Sequence, residues 1–257
     1  MATLLITLFS QPAPVQLLLL TAFGLVCLTI SMLVLRLLRA MNPQVTVATP
    51  VPPFIGTIAT AWALALGFAA ADVWAARAHA EQAASEERST ISRLAGMAAQ
   101  EALNVPAILE ALRNYETSVV EVEWGQLANT EPVEDVDDAL QQIRIDIVRL
   151  ANAGTAPALI AKMTQDFDEL QDARNKRLAI GSSSISQYKW YLVLFLTFLS
   201  MVALASVHAD RPVAARNALS VFMVAAVVSL WILVLHATPY SGSARIIFDR
   251  TQIASMR

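Results

Sequence analysis

Few residues in this sequence have the type and spacing that catalysis or metal binding requires. The three histidines, His79, His208 and His236, lie far apart, and none belongs to a metal-binding motif. The sequence contains no phosphate-binding glycine loop, nucleophile elbow or paired-cysteine motif, and its single cysteine, Cys27, lies in an apolar stretch. We therefore expect a protein that is not an enzyme and that has no cofactor and no metal site.

Acidic side chains cluster at one place in the chain, and two interpretations of this cluster stay open. Carboxylate oxygens bind hard cations, but the cluster lacks the spacing and the glycine of a calcium-binding loop. Acidic side chains are also favoured in the first turn of a helix, where they interact well with the helix dipole, and we favour this second interpretation. The cluster consists of Glu131, Glu134, Asp135, Asp137 and Asp138.

The most informative pattern lies in the apolar stretch around residue 64. Small residues recur there at every fourth position, and such a stripe lets helices approach closely in lipid. A neighbouring stripe of other residues either packs or faces lipid, or it faces an axis that several copies of the helix surround. In that second case it forms a hydrophobic constriction, which can gate ions by dewetting. The small stripe comprises Ala59, Ala63, Gly67 and Ala71, and the neighbouring stripe comprises Thr60, Leu64 and Phe68.

Asp72 is the one acidic residue in a predicted span, close to its end. A carboxylate inside a membrane is costly and is by default a functional residue. Arg77 follows little more than one helical turn later, so both residues also fit a position at the water boundary. We assign Asp72 and Arg77 to the mouth of the candidate pore.

The distribution of charge indicates which elements carry these residues. The 257-residue chain is 56% hydrophobic and only 15% charged, whereas soluble domains carry about a quarter charged residues. Residues 1–35, 40–71, 190–207 and 217–244 contain no charged side chain. This pattern excludes a single soluble globule, a disordered chain and a disulfide-rich secreted domain. The net charge of −3 provides no basic surface for nucleic acid.

Four stretches are long enough to cross a bilayer, because about 20 apolar helical residues span its hydrocarbon core. We predict an all-α integral membrane protein with four transmembrane helices and a helical insertion between the second and third. The insertion is rich in helix-forming residues. Residues 77–189 carry 11 basic and 18 acidic side chains, a net charge of −7. The predicted spans cover about 15–38, 54–76, 190–207 and 218–235, and the predicted domains are 1–76, 77–187 and 188–257.

Boundaries within the insertion follow from its caps and prolines. We expect the second span to continue as a helix to about residue 103, and a new helix to begin at Pro106 and run to about Leu127. A third helix begins within 130–134, a fourth begins near Pro157, and residues 181–184 break it before the third span.

Four spans place both termini and the insertion on one side of the membrane. The first span has two arginines after it and no charge before it, which favours an external N-terminus. Fourteen of the 18 basic residues nevertheless lie on the side of the insertion, and only Arg36, Arg39, Arg211 and Arg216 lie on the other. Although long loops obey the positive-inside rule poorly, we expect the insertion and both termini to be cytoplasmic.

Three segments resemble, in the same order, the bacterial bestrophin-like membrane family. The second span and its exit, FIGTIATAWALALGFAAADVW, contain a Leu-Gly-Phe step at Leu66, Gly67 and Phe68. The entry to the third span, GSSSISQYKWYLVLFL, is similar to a Ser-Ser-Ile step of the family. ARNALSVFMVAAVVSLWILVLHATPYSGSARI resembles its fourth span and the turn that follows. The resemblance covers the membrane half well and the insertion only by its helical character.

This resemblance implies an ion channel. Bestrophins are pentameric anion channels whose second span lines a narrow apolar neck and whose insertion is cytoplasmic, and their neck positions fall on Thr60, Leu64 and Phe68 here. The turn after the fourth span departs from the family, because Thr238 precedes Pro239 where an acidic residue is usual and no acidic run follows. We therefore do not expect calcium gating.

Our leading hypothesis is a homo-oligomer, expected to be a pentamer, in a bacterial plasma membrane. It would conduct small inorganic ions passively through a pore lined by the second span, with membrane lipid around it. The alternative is a non-conducting scaffold or accessory subunit whose insertion docks a partner protein. The sign of the ion stays open, because an acidic insertion disfavours anions whereas the resemblance implies them.

Overall fold

A computed structural model describes residues 8–9, 11–41, 52–182, 187–209 and 211–250 of the chain. Within these residues the protein is built from seven α-helices and one short π-helix, with no strand, so the predicted all-α class is confirmed. The helices are α1 (Ala13–Met41), α2 (Pro52–Ala98), α3 (Pro106–Ser118), the π-helix (Val119–Trp124), α4 (Glu134–Asn152), α5 (Pro157–Ser182), α6 (Gln187–Val207) and α7 (Pro212–His236).

Four of these helices, α1, α2, α6 and α7, are long and apolar enough to cross a membrane, as predicted. The helix α2 runs without interruption for 47 residues, which confirms that the second span continues as a polar helix beyond the apolar stretch. It ends at Ala98, earlier than expected. The helix break predicted at 181–184 begins too early, because Gly181 and Ser182 still belong to α5. The rest of the predicted break, residues 183–184, lies outside the described residues.

The described residues form two compact units. The membrane unit consists of the described parts of Met1–Ala75, Ile185–Thr238 and Gly242–Ala244. The polar unit consists of the described parts of Ala76–Ser184, Pro239–Ser241 and Arg245–Arg257.

In the membrane unit, α1, α6 and α7 pack directly on one another. Their core includes Leu20, Leu219, Leu230 and Met201, all buried. The indole Nε1 of Trp231 donates a hydrogen bond to the carbonyl oxygen of Ala13 at 3.1 Å, which joins α7 to the start of α1. These three helices therefore form a small bundle of their own.

In the polar unit, the second half of α2 packs with α3, α4 and α5 around an apolar core. Ile91 and Leu94 on α2, Leu112 on α3, Ile143 on α4 and Leu170 on α5 are fully or almost fully buried. On each of these helices the buried core residues recur at spacings of three, four or seven positions, which places them on one face of the helix.

The second helix of the insertion differs from the sequence-based expectation, and the acidic cluster agrees with it. The second helix of the insertion does not reach Leu127 as an α-helix, because α3 ends at Ser118 and the chain continues as the π-helix. Three residues of the acidic cluster, Glu134, Asp135 and Asp137, occupy the first turn of α4, in agreement with the interpretation that we favoured. The described residues include no group of side chains placed to hold a metal ion.

The C-terminal segment of the polar unit packs around Trp124, at the end of the π-helix. The Trp124 ring meets Tyr240 and Phe248 edge-on, with ring centroids 4.9 and 5.3 Å apart. Its Nε1 donates to the carbonyl oxygen of Ile246 at 2.9 Å. Trp124 therefore anchors the segment that follows the fourth span.

Candidate functional site

The apolar part of α2 has a packed face and an uncovered face. Ala69 and Val73 are buried in the core of the membrane unit. Trp62 lies seven residues before Ala69, and seven residues make almost two full helical turns, so the two side chains share a face. Trp62 lies only two residues before Leu64, which is a rotation of about 200°, so these two side chains point in nearly opposite directions. The structure therefore separates the residues that hold α2 in its subunit from the predicted pore stripe.

The predicted pore stripe lies on the uncovered face. Thr60 is exposed, and the side chains of Leu64 and Phe68 are 56% and 66% exposed. In the most apolar 18-residue stretch of α2 only 11% of the residues are buried, compared with 22–39% in the corresponding stretches of the other three spans. The stripe is thus an apolar surface that its own subunit leaves open.

The predicted packing stripe is also largely uncovered. Ala63, Gly67 and Ala71 are exposed, and Ala59 is half-buried. A Cβ added to Gly67 would meet no atom within 4 Å beyond its own helix. Packing within the subunit therefore does not account for the small residues here, and the surface is open to close approach by another helix.

Trp62 makes the most specific contact between α2 and the rest of the membrane unit. Its Nε1 donates a hydrogen bond to the Oγ1 of Thr197 on α6 at 2.9 Å. Its ring packs against Phe222 on α7, with ring centroids 5.0 Å apart. Sequence analysis did not single out Trp62, although a tryptophan among small residues is a visible signal.

The two residues predicted at the pore mouth have different partners. Asp72 forms an ion pair with Lys189 at the start of α6, and both side chains are about half exposed. Arg77 pairs with Glu81 one turn further along α2, with Nε and Oε1 3.0 Å apart. Close by in sequence, the ring of Trp74 lies 4.9 Å from that of His236 at the end of α7.

The polar unit contains a buried ionic cluster that sequence analysis missed. Arg177 on α5 is fully buried and donates to Glu87 on α2 at 2.6 and 3.0 Å and to Glu123 on the π-helix at 2.8 Å. Tyr115 on α3 donates to Glu87 at 2.6 Å, and Arg174 pairs with Glu123. The cluster thus joins α2, α3, the π-helix and α5.

The electrostatics of the cluster favour charged arginine and neutral tyrosine. Burial raises the pKa of the Tyr115 hydroxyl well above its usual range, and the Glu87 carboxylate raises it further. Burial by itself would lower the pKa of Arg177, but Glu87, Tyr115 and Glu123 together outweigh this effect and the pKa is raised. The arginine therefore stays charged, as a partner for carboxylates that would otherwise be costly to bury.

An acidic cleft opens between α3 and α4 in the polar unit. Its volume is about 480 Å³. Its lining includes the carboxylates of Glu110, Asp135, Asp138 and Asp146. Asp146 already accepts hydrogen bonds from Gln142 and Arg149. The cleft contributes to the acidic character of the polar unit.

The sequence matches the model of the Bestrophin-like domain over residues 13–247. The chain belongs to the Bestrophin-like family. The Bestrophin-like match includes all four spans and most of the polar unit, which confirms the resemblance seen in three short segments.

Solved structures agree with the Bestrophin-like assignment at the level of the fold. The crystal structure of a bacterial bestrophin homolog from Klebsiella pneumoniae is 14% identical, with a TM-score of 0.67, over 91% of this chain and 93% of that one. A mutant of that homolog is 13% identical, with a TM-score of 0.69, over 92% and 96% of the two chains. No curated protein sequence matches the chain.

Proposed function

We propose that this protein is an oligomeric ion channel, built as a homopentamer, through which small inorganic ions pass passively. The observation that carries the proposal is the uncovered apolar face of α2, with Leu64 and Phe68 more than half exposed. The helices α1, α6 and α7 pack on one another as a bundle and do not cover that face of α2. Four helices in one subunit leave little room for a water path, so the pore requires several copies.

The two stripes of α2 give the assembly a physical basis. Small side chains let helix backbones approach closely in lipid, and Ala63, Gly67 and Ala71 are free to do so between neighbouring copies. The adjacent stripe of Thr60, Leu64 and Phe68 then faces the axis. A ring of such apolar side chains forms a narrow neck that resists wetting until it widens.

The polar unit would form the aqueous vestibule of the channel. We place the insertion and both termini in the cytoplasm of a bacterial cell, since most basic residues lie on that side. The net charge of −7 over residues 77–189 raises the local concentration of cations and opposes anions. Reversal potentials in asymmetric salt measure the sign of the permeating ion.

We assign no arrangement of the described residues to catalysis, and the proposal does not include an enzymatic activity. The competing function is a scaffold or accessory subunit whose polar unit docks a protein partner. It predicts a purified protein that passes no ions in liposomes and that co-purifies with a stoichiometric partner.

Planar-bilayer recording of the purified protein tests the proposal. We expect Leu64→Ala and Phe68→Ala each to change the conductance or the rectification, because both remove apolar bulk from the neck. Leu192→Ala and Phe195→Ala on α6 are matched controls, with the same residue types at 50% and 58% exposure. Conductance that is unchanged in the α2 variants, or changed equally in the α6 variants, contradicts the neck assignment.

A further inference from the structure

Among the described residues, two polar contacts of the apolar part of α2 with α6 bracket Leu64 and Phe68 of the proposed neck. Trp62 bonds to Thr197 of α6, and ten residues later Asp72 pairs with Lys189 of the same helix. At about 1.5 Å per residue the two contacts are about 15 Å apart along the helix. Leu64 and Phe68 lie between them.

The two contacts differ in strength because their surroundings differ. The Asp72 and Lys189 side chains are 41% and 51% exposed, and ion pairs with that access to solvent contribute little. Thr197 is buried, where no water is available to replace its partner. An indole N–H left without an acceptor in such a place is costly.

The geometry of the Trp62 contact leaves little freedom of position. The Thr197 hydroxyl donates its own hydrogen to the carbonyl oxygen of Val193 at 2.8 Å. This fixes the orientation of the hydroxyl, so a lone pair of Oγ1 accepts the Trp62 Nε1–H at 2.9 Å. Contact with Phe222 holds the indole ring from the side of α7. Trp62 is thereby connected to both α6 and α7.

We propose that Trp62 is a positioning residue that sets the width of the neck through its hydrogen bond to Thr197. This inference rests on the proposed channel function. Trp62 points away from the axis, so it touches no permeating ion. It acts by fixing the rotation and the lateral position of α2 two residues before Leu64, and its loss lets the neck shift between narrow and wide positions.

Conservative variants isolate the hydrogen bond. Trp62→Phe keeps an aromatic ring against Phe222 but removes the N–H, and Thr197→Val keeps a branched side chain but removes the acceptor. Thr197→Ser keeps the hydroxyl and should behave like the wild type. Trp231→Phe is the matched control, because it removes an indole hydrogen bond between α7 and α1 that does not involve α2.

The assay is single-channel recording in planar bilayers, with size-exclusion chromatography to verify that each variant assembles like the wild type. We expect Trp62→Phe and Thr197→Val each to change the open probability by about 2- to 10-fold, the range over which one ordinary hydrogen bond shifts an equilibrium. We expect Thr197→Ser and Trp231→Phe to leave it unchanged.

A second measurement distinguishes positioning from general stability. If Trp62 acts through the neck, Trp62→Phe should have a much smaller effect in a Leu64→Ala background, where the constriction is already relaxed. The inference is overturned if the wild type conducts but Trp62→Phe and Thr197→Val behave like it. The inference is also overturned if Trp231→Phe changes the open probability as much as Trp62→Phe does. It is overturned as well if the effects of Trp62→Phe and Leu64→Ala on the open probability are additive in the double variant. A wild type that passes no ions refutes the channel itself, and this inference with it.

Discussion

Replacing Arg177 by methionine should destabilise the polar unit strongly. Arg177 is fully buried, and so are both of its carboxylate partners, Glu87 and Glu123. Methionine fills similar space but supplies no donor, so Glu87 keeps only the hydroxyl of Tyr115. Glu123 keeps Arg174 as its partner. One carboxylate is therefore left buried without a cation.

The expected loss of stability follows from the free-energy cost of a buried carboxylate that has no cation as its partner. Removing one partner of a buried ion pair typically costs about 3 to 5 kcal/mol. For a unit of this size that loss lowers the thermal midpoint by roughly 10 °C or more. The assay is thermal unfolding in detergent, followed by circular dichroism. Lys176→Met is the matched control, because the neighbouring Lys176 joins the same two helices through an exposed pair with Glu86, which is worth about 0 to 1 kcal/mol.

A second substitution tests whether the uncompensated charge of Glu87 causes the loss of stability. Glu87→Gln in the Arg177→Met background removes the uncompensated charge and keeps an acceptor for Tyr115, so it should recover roughly half of the lost stability or more. The reasoning is refuted if Arg177→Met costs no more than Lys176→Met, or if the double variant is no more stable than Arg177→Met alone.

Two further predictions concern packing in the polar unit. Gly181→Ala should prevent normal folding, because a Cβ there would overlap the carbonyl oxygen of Asn129. Gly96→Ala should stabilise the polar unit by up to about 1 kcal/mol, because a Cβ there meets nothing within 4 Å. Equal thermal midpoints for Gly181→Ala and Gly96→Ala would contradict both expectations. Trp124→Leu should speed amide exchange in residues 245–250 by about 5-fold, the effect of one lost hydrogen bond. Unchanged exchange around Phe248 would show that Trp124 does not anchor the segment.

The membrane architecture could be predicted from the sequence because its cause is local. A run of about 20 apolar residues without charge can satisfy its backbone in lipid only as a helix. The continuation of α2 into the polar unit was also predictable, since no proline or glycine interrupts residues 68–95. The spacing of Leu64 and Phe68 identified one face of that helix, and the exposure of this face is what the structure adds.

The side-chain contacts within each unit could not be predicted in this way. Glu87 and Arg177 lie 90 positions apart, and each has the appearance of an ordinary solvated charge in its own helix. Trp62 and Thr197 lie 135 positions apart, so their hydrogen bond depends on how α2 and α6 pack. The π-helix at Val119–Trp124 likewise has no distinct pattern in the local sequence that would predict it.

A reconstruction of the purified protein by electron microscopy tests the central claim most directly, because it shows the symmetry and the helix at the axis together. We predict a ring of five subunits in which α2 surrounds the axis, with Leu64 and Phe68 pointing into it. A monomer, or an assembly in which these two side chains face lipid while another helix lines the axis, would contradict it.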